Sequence, residues 1–209
     1  MYKRQVLAVF QQTFYAPIYQ KAQAVLASGI LGKIEQISIR YNGFSRRWDW
    51  QTLQNRLGGG LYNNGPHPIG LGRGFLGLDE NISVLYAKCA CTALTSGDGD
   101  DYAKVLFTAP AKPLIDVEVL SDDAYADYAV KIKGDKGTYV STQSDYKYTY
   151  IIDGENPPRP YVEGTLRKEN GDPCYCSETL IKHEESGKFE GTPFDVGTSL
   201  LYEDLYFAI

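Results

Sequence analysis

The sequence has little of several features that would assign it to a specialised class. No apolar run approaches the ~20 residues that a helix needs to span a bilayer, so no membrane segment is predicted. Asp and Glu outnumber Lys and Arg by 26 to 21, and the net charge of −5 argues against non-specific nucleic-acid binding. With 43% hydrophobic residues among 209, the composition is that of a soluble globular protein with a sizeable core.

Cysteine is also scarce. The four copies form two Cys-x-Cys pairs, Cys89/Cys91 and Cys174/Cys176. Zinc sites commonly use a Cys-x₂₋₄-Cys spacing, so these pairs fit a metal site poorly. Reduced cysteines in a cytoplasmic protein are the simpler interpretation. The sequence therefore predicts no metal ligands and a cytoplasmic location.

Only two histidines occur, and they differ in setting. His67 follows the three glycines at 58–60, which allow close approach of another group, and an imidazole can move a proton near neutral pH. Asn63 precedes it by four residues, so in one helix both side chains would share a face. This grouping predicts a site that handles a substrate hydroxyl, although a structural histidine beside a Gly-rich turn stays open. His183 lies among charged residues and is predicted to be a solvated surface side chain.

The segment 58–77, GGGLYNNGPHPIGLGRGFLG, resembles the active-site helix of the glucose–fructose oxidoreductase / inositol dehydrogenase (Gfo/Idh/MocA) family. In that family a Gly pair precedes Asp-x-x-x-His, and an apolar helix ending in Leu-Gly follows. The Ser-Gly-Ile-Leu-Gly junction at 28–32, the segment 41–52 and the strand-like segments 101–105 and 114–119 are similar to it as well. The resemblance covers the chain from about residue 6 to its end.

The resemblance implies a reaction and a role for each matching residue. The family transfers a hydride between NAD or NADP and a carbon that bears a hydroxyl group, here of a sugar or cyclitol. His67 would take the hydroxyl proton, with help from a lysine of another domain. Asn63 stands where Asp is usual, and an amide can hydrogen-bond the hydroxyl or orient His67 but cannot act as a base. Gly70 replaces an Asp that is common three residues after the histidine.

A polar and aromatic cluster precedes the glycines. An Arg or Asp can bind sugar hydroxyls and an indole can cover a sugar ring, so Arg47, Asp49 and Trp50 are predicted to bind substrate. A surface salt bridge with a core tryptophan is the equally weighted alternative. Tyr62, beside Asn63, is a further substrate-binding candidate.

The features of a dinucleotide-binding domain are missing. No G-x-G-x-x-G follows a strand, and no Glu-Lys-Pro occurs. We therefore expect a fragment that holds no cofactor-binding residues and is inactive alone. Residues 6–14 are predicted as the remnant of the last strand of the missing domain, with 6–10 a short buried strand. Residues 15–209 are predicted as the substrate and catalytic domain, with a truncated last helix, and residues 1–5 as a non-native leader.

Periodicity predicts an α+β fold in which helices pack on one face of a mostly antiparallel open sheet. A helix is predicted over 17–27, a strand over 34–44, an antiparallel meander over 83–152, and a long connection over 153–190. Alternating glycines at 70, 72 and 74 predict a loose helix after His67. The family's open sheet face commonly makes subunit contacts, so the resemblance implies a homo-oligomer.

Two other functions remain open from the sequence. The chain could be a non-enzymatic sheet module for oligomerisation or ligand binding. It could also carry out a related chemistry of the family, such as a redox-assisted glycosidase reaction. A complete gene with a Gly-rich βαβ unit and a Glu-Lys-Pro motif upstream of Val6 would favour the dehydrogenase.

Overall fold

The structure is a computed structural model that describes residues 7–162, 164 and 166–209. Its helices are α1 (Pro17–Ser28), α2 (Gly60–Asn63), α3 (Pro66–Leu76) and α4 (Pro193–Ala208). Its strands are β1 (Ile34–Asn42), β2 (Ser83–Ala90), β3 (Tyr102–Thr108), β4 (Leu114–Leu120), β5 (Val130–Gly134), β6 (Gly137–Ser141), β7 (Asp145–Tyr150) and β8 (His183–Lys188). Short 3₁₀ turns cover Gln12–Phe14, Trp50–Thr52 and Gln54–Arg56.

The eight strands of the described residues form one open sheet in the order β2-β3-β4-β1-β5-β6-β7-β8. Every neighbouring pair is antiparallel except β1 and β4, which run parallel. The predicted mostly antiparallel α+β fold is confirmed. The predicted meander is divided, however, because β1 enters the middle of the sheet between β4 and β5. A period of two along each strand cannot reveal that insertion, since it says which faces are apolar but not which strands are neighbours.

Helix α1 forms as its end signals predict. Pro17 opens it, where a missing N–H costs nothing, and Gly29 closes it in the left-handed conformation at φ 70°. Its apolar stripe packs towards one face of the sheet. The fully buried side chains of that core are Leu31, Ile37, Ile39, Leu71, Leu76, Phe107, Ile115, Val117, Val130, Ile132 and Tyr139.

Helix α3 is continuous from Pro66 to Leu76, so the prediction of a loose helix is wrong. Its glycines are contact positions. A Cβ on Gly72 would lie 2.7 Å from both Ile115 Cγ2 and Phe107 Cζ, and one on Gly74 would overlap Tyr19. Each glycine costs about 1 kcal/mol of helix propensity, and the close packing that they allow offsets this cost.

The opposite face of the sheet carries charge, because strand residues alternate between faces. Arg40 of β1 pairs with Asp116 of β4 at 2.7 Å and with Glu118 at 2.9 Å. Lys104 of β3 reaches the same two carboxylates at 3.2 and 2.5 Å. Burial alone would raise the pKa of Asp116, but the two cations outweigh burial and hold that pKa below its usual range.

Two predicted elements differ in the structure. Residues 7–10 form no strand, and Leu7 and Val9 are 95% and 82% exposed, because no described strand pairs with them. Val6 and the predicted leader at 1–5 lie outside the described residues. The long connection contains β8, which pairs with β7 at the sheet edge. Its sequence, HEESGK, lacks apolar alternation because an edge strand there is largely exposed.

Candidate functional site

His67 lies in the first turn of α3, at a break between two helices. Helix α2 ends at Asn63, and Pro66 begins α3, a position that suits a residue without an N–H. The peptide N–H of His67 donates to the carbonyl of Asn64 at 3.1 Å. The break directs the imidazole towards the segment before α1 and towards β1.

Two neighbours define the position of the His67 ring. Its Nδ1 lies 3.0 Å from Oε1 of Gln11. The ring of Tyr41 stacks on it with a centroid distance of 6.4 Å and an interplanar angle of 16°. Partial burial lowers the pKa of His67 below its ordinary value, so the ring is neutral at pH 7 and can accept a proton.

A cavity of about 160 Å³ opens beside His67. Its walls are apolar side chains together with several polar ones: Gln12, Thr13, Ala16, Ile18, Tyr41, Leu71, Ala129, Val130, Gln143, Pro193 and Phe194. Burial raises the pKa of Tyr41 to about 12, so its hydroxyl stays protonated. The lining therefore combines one neutral base with hydroxyl and amide groups.

Two polar atoms of the cavity lining are unsatisfied. Gln12 Oε1 and Thr13 Oγ1 are buried and have no hydrogen-bond partner among the described residues. Both side chains are more than nine-tenths buried, with exposures of 7% and 9%. Buried polar atoms are nearly always hydrogen-bonded in folded proteins, so these two atoms are unsatisfied acceptors in residues of the cavity wall, and a small side-chain movement would be needed to bring them to a bound group.

The structure does not join Asn63 to His67 by a hydrogen bond. The Asn63 side-chain amide instead donates to the backbone carbonyl of Gln51 at 3.3 Å. The two residues belong to different helices, so the single helix on which a shared face depended is not present. Asn63 thus fastens α2 to the turn at Trp50–Thr52.

The three glycines before α2 have packing roles. A Cβ on Gly58 would overlap the backbone of Gln51, and Gly59 has a φ of 125°. The N–H of Gly60 donates to the Asp100 carbonyl at 2.6 Å, and the N–H of Leu61 donates to the Asp100 carboxylate at 2.8 Å. These glycines bring α2 against the loop between β2 and β3.

The predicted substrate-binding residues lie at the surface, away from this cavity. Arg47 Nε and Asp49 Oδ2 form an exposed ion pair at 2.7 Å, and Asp49 also caps the turn at Trp50–Thr52. Trp50 is 61% exposed, so the alternative of a core tryptophan is wrong for it. Tyr62 is 68% exposed and lines a second cavity of about 430 Å³, beside Cys89 and Cys91. The two cavities share no lining residue.

Sequence reasoning did not identify Gln11, Gln12 and Thr13 as site residues. They precede α1 in a turn that carries no motif, and only the packing of α3 brings them to His67. Tyr41 could have been found, because its alternation with Ile37 and Ile39 places it on the helix-covered face of β1.

One glycine motif in the described part of the chain has the letters of a dinucleotide fingerprint but not its structural setting. Gly72, Gly74 and Gly77 match the letters G-x-G-x-x-G, but the first two lie inside α3 against core side chains rather than in a strand-to-helix turn.

Among the residues that the structure describes, no group of three His, Cys, Asp or Glu side chains could hold a metal ion. None of the described helices is both long and apolar enough to cross a membrane.

The chain belongs to the GFO/IDH/MocA family. The model of that family's C-terminal domain matches residues 19–140, which is more than half of the chain. The matched range contains His67 and Tyr41, whereas Gln11 to Thr13 precede it. No curated protein matches the chain.

Solved structures share the fold. An NAD-binding protein from Listeria innocua has a TM-score of 0.62 at 18% identity, covering 84% of this chain and 50% of that one. KijD10, a 3-ketoreductase from Actinomadura kijaniata solved with TDP-benzene and NADP, has a TM-score of 0.60 at 12% identity, with 97% and 53% covered. The WlbA dehydrogenase from Bordetella pertussis, solved with NADH and UDP-GlcNAcA, has a TM-score of 0.52 at 19% identity, with 64% and 40% covered. The chain thus spans about half the length of these proteins.

Proposed function

We propose that this chain is the substrate-binding and catalytic domain of an NAD(P)-dependent oxidoreductase that acts on the CH–OH group of a sugar or cyclitol. The observation that carries the proposal is a part-buried His67 imidazole at the edge of a cavity. Membership of the family supports the reaction class. The nicotinamide cofactor is proposed for the whole protein and would bind to a domain outside this chain.

His67 has the chemistry that the reaction needs. An alcohol carbon that loses a hydride must also release its hydroxyl proton, and a neutral imidazole with a pKa near the working pH can accept that proton. In the reverse direction the imidazolium returns the proton to the carbonyl oxygen. The lowered pKa of His67 favours the neutral form that starts the oxidation.

A polyhydroxylated substrate suits the cavity lining. Gln12 Oε1 and Thr13 Oγ1 can accept hydrogen bonds from hydroxyl groups, and the apolar walls can pack against C–H groups of a ring. WlbA was solved with a sugar nucleotide, which is in line with this class. The cavity of about 160 Å³ is small beside the roughly 300–1,000 Å³ of ligand pockets, so we propose that another domain completes the site.

The exposed residues that were predicted to bind substrate remain candidates for contacts outside the cavity beside His67. Arg47, Asp49, Trp50 and Tyr62 would contact only a part of the substrate that extends beyond the cavity. Asn63 would act indirectly, by fixing the break before His67.

We also propose that the charged sheet face around Arg40 makes contacts in a homo-oligomer, in keeping with the family resemblance. A monomeric full-length protein in analytical ultracentrifugation would contradict this.

The substrate proposal can be tested on the chain itself. A panel of sugars and cyclitols is titrated into protein labelled at its two histidines, and the imidazole resonances are followed by NMR. A ligand of the proposed class should shift the resonances of His67 and leave those of His183 unchanged. The chain alone should show no dehydrogenase activity, and tight NAD(H) binding seen by calorimetry would contradict the placement of the cofactor in another domain.

A further inference from the structure

The Gln11 side chain bridges two groups of the α3 N-terminus. Its Nε2 donates to the carbonyl of Pro66 at 2.9 Å, and its Oε1 lies 3.0 Å from His67 Nδ1. A carbonyl oxygen can only accept a hydrogen bond, so the amide NH₂ must face Pro66. The amide oxygen then faces the imidazole, and Nδ1 must carry the proton that it accepts.

We infer that Gln11 is a positioning residue that holds His67 in the Nδ1–H tautomer and leaves the Nε2 lone pair free to take a proton. The consequence for catalysis rests on the proposed function, whereas the tautomer itself does not. In neutral imidazole one nitrogen donates and the other accepts, so the partner of Nδ1 decides the state of Nε2.

The backbone and one glycine secure this arrangement. Gln11 is the residue before the turn Gln12–Phe14, and its own N–H donates to the Val9 carbonyl at 2.9 Å. A Cβ on Gly70 would overlap Gln11 Nε2. Gly70 therefore provides the space that the Gln11 amide occupies.

Both departures from the family pattern have a structural role here. The resembled family commonly has Asp at the positions of Asn63 and Gly70, whereas here Asn63 binds Gln51 and Gly70 admits Gln11. The side-chain partner of the imidazole in this chain is an uncharged amide. Apart from His67 itself, Tyr41 is the one titratable group among the described residues that line the cavity, and no charged group lines it. No negative charge among these lining residues stabilises an imidazolium, so burial lowers the His67 pKa.

The test reads the tautomer directly. In ¹⁵N-histidine-labelled protein above the His67 pKa, the two ring nitrogens are distinguished by NMR, and a His183→Gln variant assigns the signals. The wild-type protein should show His67 predominantly as Nδ1–H. Gln11→Ala should shift it towards the Nε2–H form that free histidine prefers, and Gly70→Ala should do the same by displacing the amide.

Two further variants separate positioning from a general packing effect. Gln11→Glu presents only acceptor oxygens and so loses the hydrogen bond to the Pro66 carbonyl. It should still retain the Nδ1–H tautomer and raise the His67 pKa, because a nearby negative charge favours a protonated Nδ1 and the imidazolium. Gln20→Ala is the matched control, since Gln20 also donates to a backbone carbonyl, that of Phe14. It should leave the tautomer unchanged.

The inference is overturned if wild-type His67 is Nε2–H, or if a folded Gln11→Ala protein keeps the wild-type tautomer. A failure of the proposed function looks different: the tautomers would follow this pattern while removal of the imidazole left turnover intact. In the full-length protein Gln11→Ala should lower kcat about 10-fold, a part of the roughly 10²–10⁴-fold that general acid–base catalysis supplies, with a smaller change in KM.

Discussion

Asn63 and His67 are four residues apart in the sequence, yet they belong to different helices, because α2 ends at Asn63 and Pro66 begins α3. The Asn63 amide binds the Gln51 carbonyl, and the partner of the imidazole is Gln11, from a segment 56 residues earlier. The residue that orients the candidate base is therefore set by tertiary packing rather than by helical spacing.

Asn63→Ala should leave the tautomer and pKa of His67 unchanged. Loss of the bond to Gln51 should lower the free energy of unfolding by about 1 kcal/mol, the usual net contribution of such a bond. NMR titration and urea denaturation measure the two effects. A change in the His67 tautomer comparable to that in Gln11→Ala would show that Asn63 orients the ring after all.

Gly72→Ala should destabilise the fold, because its Cβ would overlap Ile115 and Phe107. Overpacking of a core of this kind costs about 1–3 kcal/mol, which is more than the ~1 kcal/mol gained in helix propensity. Gly43→Ala is the matched control, since no atom lies within 4 Å of its added Cβ. Equal stability of the two variants in denaturant unfolding would contradict the packing role of the α3 glycines.

Local sequence rules suffice for the elements whose ends and buried faces depend on nearby residues. The end signals of α1 and the alternation of β1 predict those elements because caps and one-sided burial act within a few residues. In β6, alternation alone does not decide which face is buried, and Tyr139 is the fully buried residue. Both faces of that strand carry good strand formers, so only the neighbouring tyrosines of β7 decide which face is inside.

The candidate site was predictable only where a residue's own type or its near neighbours identify it. His67 was identified by residue type and does line a cavity, whereas Gln12 and Thr13 were missed because nothing local distinguishes them. The spacing of Asn63 and His67 suggested one helix, although Pro66 can begin a new one, and the Asn63 amide binds the Gln51 carbonyl instead of the imidazole. The surface positions of Trp50 and Tyr62 depend on loop packing, which periodicity does not describe.

Gln12→Leu should separate stability from binding. An unsatisfied buried carbonyl oxygen costs about 1–3 kcal/mol, so replacing the amide with an apolar side chain of similar size should leave the free energy of unfolding unchanged or raise it. The affinity for a sugar that shifts His67 should fall. Gln20→Leu, at an exposed position of α1, is the control and should retain affinity. Unchanged affinity in Gln12→Leu would remove Gln12 from the binding site.

His67 should make stability depend on pH. Its pKa in the folded protein lies below the unfolded value of about 6.5, so the unfolded state binds more protons. The contribution of His67 to the free energy of unfolding is complete above about pH 6.5, and it is lost as the pH falls through the pKa of the folded protein. In His67→Phe, the free energy of unfolding measured by urea denaturation should depend less on pH between about pH 5 and pH 7.5. A profile that is the same in both proteins would contradict the lowered pKa.

The most direct test of the account is the turnover of His67→Ala in the full-length protein, followed by NAD(P)H absorbance with the sugar or cyclitol identified by titration. His183→Gln, which removes the other histidine at the sheet edge, is the control and should retain wild-type turnover. Loss of the base should lower kcat about 10²-fold or more. Unchanged kcat in a folded His67→Ala protein would contradict the central claim that this imidazole moves the substrate proton.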